Sequence, residues 1–278
     1  MSMKNRHVLG EAVRHLILII LALYTLAPLL FLFVNAFKSN NEIIASPVAL
    51  PEHWTLQYIK TAMEAINFGK ALGLTFIITF FSILLLVIVS SFAAWAMVRS
   101  KTILSNIVFL CFTAAMLVPF QSLMYPLLSV FEKMGLKNVQ GLILMYGGFG
   151  LSMSVFLYHG FIKSVPASLE EAAVLDGANL FQMFFKVVFP LLKGTTVTVI
   201  VLNGMWIWND YLLPYLVLDI RKWKTIPIAI QYLKGGYGSI DWGAMMAMLV
   251  LAILPIIIFY GICQKYIIEG VVAGAVKG

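Results

Sequence analysis

The chain has 278 residues, of which 62% are hydrophobic and only 11% are charged. Soluble domains average about 45–50% apolar and about 25% charged residues, so this composition excludes a soluble globular fold and predicts a protein embedded in the bilayer. The net charge of +7 comes from basic residues scattered between apolar runs, which is typical of lysines and arginines beside anionic lipid and excludes a nucleic-acid-binding patch.

Six apolar stretches are long enough to cross about 30 Å of hydrocarbon as helices. In chain order they lie near residues 16–37, 71–98, 106–130, 140–162, 195–218 and 244–264. None has the period-2 alternation of a membrane β-barrel, so we predict an all-α membrane protein with six transmembrane helices in a single domain, residues 1–278. An even number of spans places both termini on one side of the membrane. The basic residues divide almost evenly between the two sides, so charge does not assign that side.

Two segments between the predicted spans are long. Residues 38–70 contain an amphipathic stretch from Thr55 to Phe68, which we expect to form a short helix on the membrane surface. Residues 219–243 carry a glycine-rich tip, which we expect to be an adaptable contact surface. This tip consists of Gly235, Gly236, Tyr237 and Gly238.

The segment at residues 163–194 is too polar to span the membrane. Ser168 with Glu171 three residues later is a capping-box pattern, which predicts the start of a helix. Gly177 stands where that helix could end through a positive φ angle, and a second helix would follow up to Pro190. This helix–turn–helix is either a solvated connector or, because its small residues allow close approach, a docking element for a partner protein.

The fifth predicted span carries polar side chains on one helical face. Asn203, Trp206 and Asp210 are spaced at i, i+3 and i+7, and Pro214 continues the series. A carboxylate in a transmembrane helix costs about 2.5–3.5 kcal/mol, so Asp210 must face protein or water. Asp210 either makes a structural hydrogen bond to a neighbouring helix or lines a polar path.

Prolines and glycines mark the third and fourth spans. Gln121 lies in the third span between Pro119 and Pro126, which predict a kink with freed carbonyl groups. The glycines of the fourth span, Gly148 and Gly150 among them, predict close packing against a neighbouring helix.

The 163–194 segment contains a specific spacing of residues. The pattern Glu171-Ala172-Ala173, three residues, Gly177, nine residues, then Val187-x-Phe189-Pro190 resembles the EAA loop of permease subunits of ABC importers. The run Asp176-Gly177-Ala178 is similar to the D-G-A extension of carbohydrate permeases. Further similarities lie at Asn35–Lys38, at Ala93-Ala94-Trp95-Ala96 before Arg99, at Trp208-Asn209-Asp210 and in the tail from Gln264. The chain departs from the pattern at Ser168, where an acidic residue is usual, and at Gly194, where a second proline is common.

This resemblance implies one of the two permeases of a maltose-type carbohydrate importer in a bacterial cell membrane, with both termini in the cytoplasm. Residues 163–194 would be a cytoplasmic coupling loop that docks on an ATP-hydrolysing subunit and moves the bundle between inward- and outward-facing states. The coupling residues would be Glu170, Glu171, Ala172, Ala173, Asp176, Gly177, Ala178 and Pro190.

The resemblance also implies partners. They are a second homologous permease, two ATP-binding cassette subunits, membrane lipid and an extracytoplasmic sugar-binding protein, which would contact the tip at residues 235–238. A sugar path needs amide and carboxylate groups that match hydroxyls, and aromatic faces for pyranose rings. Candidates for such a path are Gln121, Asn203, Trp206, Asn209 and Asp210. These residue types do not name the sugar, and a permease for another polar solute, such as a glycerol phosphodiester, is the alternative.

Membrane-embedded enzymes are the competing class. The sequence has no G-x-x-x-x-G-K-[ST] phosphate loop, so ATP must bind to a partner. An intramembrane aspartyl protease needs two aspartates within the membrane, and the six predicted spans contain only Asp210. A rhomboid-type protease needs G-x-S-G, and Gly150-Leu151-Ser152 is not followed by glycine. The cysteines and histidines have no ligand spacing. We therefore expect a transporter subunit without catalytic residues, metal or cofactor.

Overall fold

The computed structural model describes residues 3–233 and 241–275, with side chains described at 10–233 and 241–265. Every regular element in these residues is helical. The helices are α1 Met3–Asn35, α2 Asn40–Ala45, α3 Gln57–Ala65, α4 Phe68–Ser100, α5 Ile103–Ala115, α6 Phe120–Lys133, α7 Val139–Ile162, α8 Ser168–Leu175, α9 Leu180–Gln182, α10 Phe189–Leu191, α11 Lys193–Asn209, α12 Leu212–Val217, α13 Ile226–Gln231 and α14 Trp242–Ala275. A π-helical turn, Met183–Val188, connects α9 to α10.

Within the described residues, four helices are long and apolar enough to cross a membrane. They are Gly10–Asn35 of α1, Phe68–Ser100 (α4), Val139–Ile162 (α7) and Trp242–Lys265 of α14. Two bent pairs, α5 with α6 and Leu180–Leu191 with α11, also pass the test when each pair is taken together. The predicted number of six spans is reached when each bent pair counts as one span.

The third predicted span, near residues 106–130, is not one kinked helix as expected. Its two halves, α5 and α6, meet at an angle of 107°. Pro119 lies directly before α6 with an extended backbone, at φ −68° and ψ 139°. A proline also disfavours helical backbone at the residue before it, so the chain turns sharply at this point instead of bending gently.

The fifth predicted span, near residues 195–218, is also interrupted. Helix α11 ends at Asn209, and Asp210 has an extended backbone with ψ 128° before α12 begins at Leu212. A proline inside a helix lacks an amide hydrogen for the carbonyl group four residues earlier, and its ring clashes with that group. For Pro214 the carbonyl group is that of Asp210, so the position of the break follows from this proline.

The chain divides into two compact units. The first unit combines Met1–Phe68 with Ala229–Pro255, and the second combines Gly69–Ile228 with Ile256–Gly278.

In the first unit, α1 ends in a turn that is held by a buried lysine. The Lys38 ammonium donates to the carbonyl oxygens of Ser46 and Pro47 at 3.1 and 3.4 Å. Ser39 then caps α2 in a reciprocal capping box with Glu42. A helix is present as α3 within the stretch from Thr55 to Phe68, where we expected one.

In the second unit, α4, α7 and α11 share two apolar clusters. The first cluster joins Leu74, Ile78 and Leu86 of α4 to Leu142, Met145 and Tyr146 of α7 and to Ile207, Leu213, Val217 and Leu218 around the α11–α12 break. The second joins Val87, Ala94 and Trp95 of α4 to Val155, Tyr158 and Ile162 of α7 and to Phe184, Val188, Leu192 and Val199. One cluster therefore supports the break at Asp210, and the other supports the 163–194 segment.

Candidate functional site

Residues 163–194, the predicted coupling loop, have two helical arms joined at Gly177. The first arm is α8, and the second runs through α9, the π-helical turn and α10. Gly177 has a φ angle of +80°, and the Gly177 and Ala178 amides donate to the carbonyl oxygens of Val174 and Ala173. The predicted helix end through a positive φ angle is therefore present in the structure.

The predicted capping box at Ser168 is wrong. Ser168 is the first residue of α8, and the residue before it, Ala167, caps the helix without a side-chain hydrogen bond. The amides of Glu170 and Glu171 both donate to the Ala167 carbonyl oxygen, so the helix begins one residue earlier than the pattern predicts.

A reciprocal capping box opens the second arm instead. The Gln182 amide donates to Asn179 Oδ1 at 2.9 Å, and the Asn179 amide donates to Gln182 Oε1 at 3.0 Å. The sequence signal for this cap is an asparagine followed three residues later by glutamine. We did not predict it from the sequence.

Glu170 is the buried acid of the coupling loop, with 8% of its surface exposed. Its Oε1 accepts from Arg99 Nε at 2.8 Å and lies 2.7 Å from Arg99 Nη2. Its Oε2 accepts from the Trp95 indole nitrogen at 3.0 Å. Arg99 Nη2 also donates to the Val165 carbonyl oxygen at 3.0 Å. From the sequence, the run Ala93–Ala96 before Arg99 was noted only as a family similarity, and neither Trp95 nor Arg99 was assigned to the site.

An aromatic cluster holds the second arm against the same end of α4. Phe184 is fully buried, and its ring centroid lies 4.8 Å from that of Phe92 and 5.2 Å from that of Trp95. Phe181, at the start of the arm, stacks on Phe92 at 6.2 Å.

The remaining predicted coupling residues lie mainly on the outer side of the loop. Ala173 is buried and Ala178 half-buried, whereas Glu171, Ala172, Asp176, Gly177 and Pro190 are exposed. Large apolar side chains share this outer surface, with Leu175 exposed to 87%. We call Glu171, Leu175, Leu180 and Phe181 the outer face of the coupling loop. Phe181 belongs to it because 65% of its surface stays exposed despite the contact with Phe92.

The predicted polar face of α11 is directed toward α7. Asn203 Nδ2 donates to Ser154 Oγ at 3.2 Å and to the Val199 carbonyl oxygen at 2.9 Å, and Asn203 is buried. Three residues later, the Trp206 ring meets Tyr146 edge to face at 5.4 Å. Asn203 is thus part of the packing between the two helices.

The Asp210 carboxylate accepts hydrogen bonds both from the turn that follows it and from α7. The Tyr146 hydroxyl donates to Asp210 Oδ2 at 2.8 Å, and the Leu212 amide donates to Asp210 Oδ1 at 3.0 Å. Asp210 is half-buried and Trp206 is exposed, so both retain accessible surface. The three residues Tyr146, Trp206 and Asp210 form one aromatic–acid cluster, and we did not single out Tyr146 from the sequence.

The other two path candidates are not in this cluster. Gln121 is exposed on α6. Asn209 is exposed and donates through Nδ2 to the Met205 carbonyl oxygen of its own helix at 2.7 Å. The glycine-rich tip at residues 235–238 lies outside the described residues.

Known proteins resemble this chain in sequence and in fold. The family model described as "Binding-protein-dependent transport system inner membrane component" matches residues 87–272. The chain is 44% identical over 259 residues to the probable starch degradation products transport system permease protein AmyC of Thermoanaerobacterium thermosulfurigenes, covering 93% of this chain and 94% of that one. It is 34% identical to the multiple sugar-binding transport system permease protein MsmG of Streptococcus mutans, over 99% of this chain and 100% of that one.

Two further comparisons agree. The melibiose/raffinose/stachyose import permease protein MelC of Bacillus subtilis is 33% identical over 90% of this chain and 91% of its own length. The crystal structure of a bacterial ABC transporter involved in the import of the acidic polysaccharide alginate contains a chain of the same fold, with a TM-score of 0.81 and 24% identity, covering 96% of this chain and 99% of that one. The chain therefore belongs to the family of binding-protein-dependent transport system inner membrane components, permease subunits that work with an ATPase and a substrate-binding protein.

Proposed function

We propose that this chain is one permease subunit of an ATP-driven importer that receives an oligosaccharide from an extracytoplasmic binding protein. The named substrates of its relatives include starch degradation products, melibiose, raffinose and stachyose, which supports this substrate class. The whole transporter would contain a second homologous permease and two ATPase subunits. Both termini and the coupling loop would lie in the cytoplasm.

The outer face of the coupling loop is the observation that carries this proposal. It presents exposed leucine and phenylalanine side chains beside the Glu171 carboxylate, whereas Glu170 and Phe184 attach the opposite side of the loop to α4. An exposed apolar patch with a charged edge is typical of a protein interface. We propose that the ATPase docks here and that its closure on ATP moves the loop, which changes the access of the bundle from one side of the membrane to the other.

The docking surface can be tested by photo-crosslinking in the assembled transporter. A p-benzoylphenylalanine at Leu175 should crosslink to the ATPase subunit. Leu117 is also a strongly exposed leucine, but it lies between α5 and α6, so the same probe there should give no ATPase product. Equal yields from the two positions, or none from Leu175, would contradict the docking.

The substrate class can be tested by uptake in a strain that lacks this gene, with and without the gene restored. We expect the restored gene to support uptake of labelled malto-oligosaccharides or raffinose-type sugars. If uptake of a glycerol phosphodiester alone depends on the gene, the alternative substrate class is correct.

We propose two further contacts. The glycine-rich tip at residues 235–238 would meet the binding protein, because it lies in a long segment between spans. Trp206, Asp210, Asn209 and Gln121 would face the sugar path, since each keeps exposed or half-exposed surface. Asn203 is occupied by Ser154 and Val199 and would contribute only through packing.

A further inference from the structure

We propose that Trp95 and Arg99 are positioning residues that make α4 the transmembrane helix which the coupling loop moves. We call Trp95, Arg99 and Glu170 the α4 latch. This role rests on the proposed function, because it requires that the ATPase displaces α8.

The latch joins α4 to the start of α8 by charge-assisted hydrogen bonds. Both carboxylate oxygens of Glu170 accept from α4, one from the guanidinium of Arg99 and the other from the indole of Trp95. Arg99 also donates to the Val165 carbonyl oxygen in the chain leading into α8. Charged hydrogen bonds of this kind are shorter and stronger than neutral ones, and removing one partner leaves a buried charge unpaired. A movement of α8 that left α4 behind would have to break all of these bonds.

Trp95 connects the latch to the second arm as well. The indole that donates to Glu170 also packs its ring on Phe184, and Phe92 one turn earlier contacts Phe184 and Phe181. The end of α4 is thereby attached to both arms of the coupling loop. The two arms and the end of α4 therefore pack together, and we expect them to move together.

The covalent route from α8 to the next span is less direct. It passes through the positive-φ turn at Gly177, the π-helical turn and a bend of 77° between Leu180–Leu191 and α11. The latch, by contrast, joins α8 to α4 directly through hydrogen bonds between side chains. Displacement of α8 therefore reaches α4 before it reaches α11.

The chemistry of the latch requires arginine at position 99. One guanidinium holds a carboxylate and a backbone carbonyl together, using donors on different nitrogens in a fixed planar arrangement. A lysine ammonium keeps the charge but presents a single nitrogen, so Arg99→Lys should preserve the charge and lose the geometry.

The test uses the complete transporter in lipid nanodiscs and proteoliposomes, with sugar transported per ATP hydrolysed as the main measurement. Arg99→Lys and Trp95→Phe should each lower this ratio by about tenfold or more, the order of loss expected when a positioning group is misplaced. Lys101→Gln is the matched control. It removes an exposed basic side chain two residues beyond the latch and should leave the ratio unchanged.

A double variant separates positioning from simple stability. Arg99→Gln leaves the buried Glu170 carboxylate unpaired, and Glu170→Gln leaves the half-buried Arg99 guanidinium unpaired, so each alone should lower the melting temperature. The double variant removes both charges and should recover most of the melting temperature. We expect the double variant to keep its ATPase subunits but to transport little sugar per ATP. Recovery of the transport ratio together with the melting temperature would overturn the positioning role.

The crosslink from Leu175 distinguishes a failure of the proposed docking from a failure of the proposed latch. Absence of that crosslink in the native transporter would refute docking of the coupling loop, and with it the basis of the latch. A normal crosslink combined with a native transport ratio in Arg99→Lys would refute the latch alone.

Discussion

Gly177 is the residue on which the shape of the coupling loop depends. Its φ angle of +80° lies in the left-handed region, which costs residues with a Cβ atom roughly 1–2 kcal/mol and β-branched residues more. No atom lies within 4 Å of the position that a Cβ atom would occupy, so the restriction there is one of backbone conformation and not of space.

The effect of a substitution at Gly177 should therefore depend on the backbone preference of the new residue and not on its size. Gly177→Val should abolish uptake and weaken copurification of the ATPase, while the protein still inserts into the membrane. Gly177→Asn is the matched control, since asparagine tolerates positive φ, and it should retain most of the uptake. The measurements are initial uptake rate and ATPase yield on the purified permease. Equal behaviour of the two variants would show that the turn does not position the docking surface.

Asp210 has two possible roles that a pair of variants can separate. Asp210→Asn keeps an acceptor for the Tyr146 hydroxyl, whereas Asp210→Ala leaves this hydroxyl unpaired at a cost of about 1–3 kcal/mol. If Asp210 lines the sugar path, Asp210→Asn should reduce uptake without lowering the melting temperature in detergent. If it is only an anchor for α7, uptake and melting temperature should change together in both variants.

At the scale of single elements, the glycines of α7 are not equivalent. A Cβ atom on Gly150 would lie 2.6 Å from Leu86 Cδ1 and 2.7 Å from Asn203 Oδ1, whereas one on Gly148 would meet nothing within 4 Å. The sequence predicts close packing for both positions, but only Gly150 is at the contact with α4 and α11.

Gly150→Ala should therefore destabilise the protein, by about 1–3 kcal/mol as in other overpacked cores. Gly148→Ala, two residues away on an exposed surface, should be neutral or slightly stabilising because alanine favours helix. The measurement is the melting temperature of the two purified variants. Equal melting temperatures would mean that α4 and α11 move aside at no cost.

The limits of sequence-based prediction also lie at this scale. The spans predicted near 71–98 and 140–162 match α4 and α7 within a few residues, because length and apolarity determine such helices locally. The breaks before α6 and at Asp210 were not predicted, although each has a proline that explains it. The cap predicted at Ser168 is wrong because the chain already turns at Ala167. Separately, Glu170 accepts hydrogen bonds from Trp95 and Arg99, which lie more than 70 positions away in the sequence. Such pairings depend on tertiary structure and have no local signal.

At the scale of the whole molecule, the orientation in the membrane is the main open prediction. We expect the coupling loop in the cytoplasm and the segment between α1 and α4 outside. Both native cysteines, Cys111 and Cys263, are first replaced by serine. A cysteine at Ser168 should then resist a membrane-impermeant thiol reagent in intact cells, and one at the exposed Glu52 should react. Labelling of Ser168→Cys from outside would contradict both the topology and the coupling mechanism.

The outer face of the coupling loop has a consequence for how the cell produces this transporter. Before the ATPase arrives, Leu175, Leu180 and Phe181 would stand in water on a newly inserted subunit. Exposed apolar side chains of this size mark a protein for aggregation or for chaperones and proteases. An orphan permease would thus carry its own signal for removal, and docking of the ATPase would hide that signal. Protein turnover would then match the amount of permease to the amount of ATPase, even where the two genes are transcribed unequally.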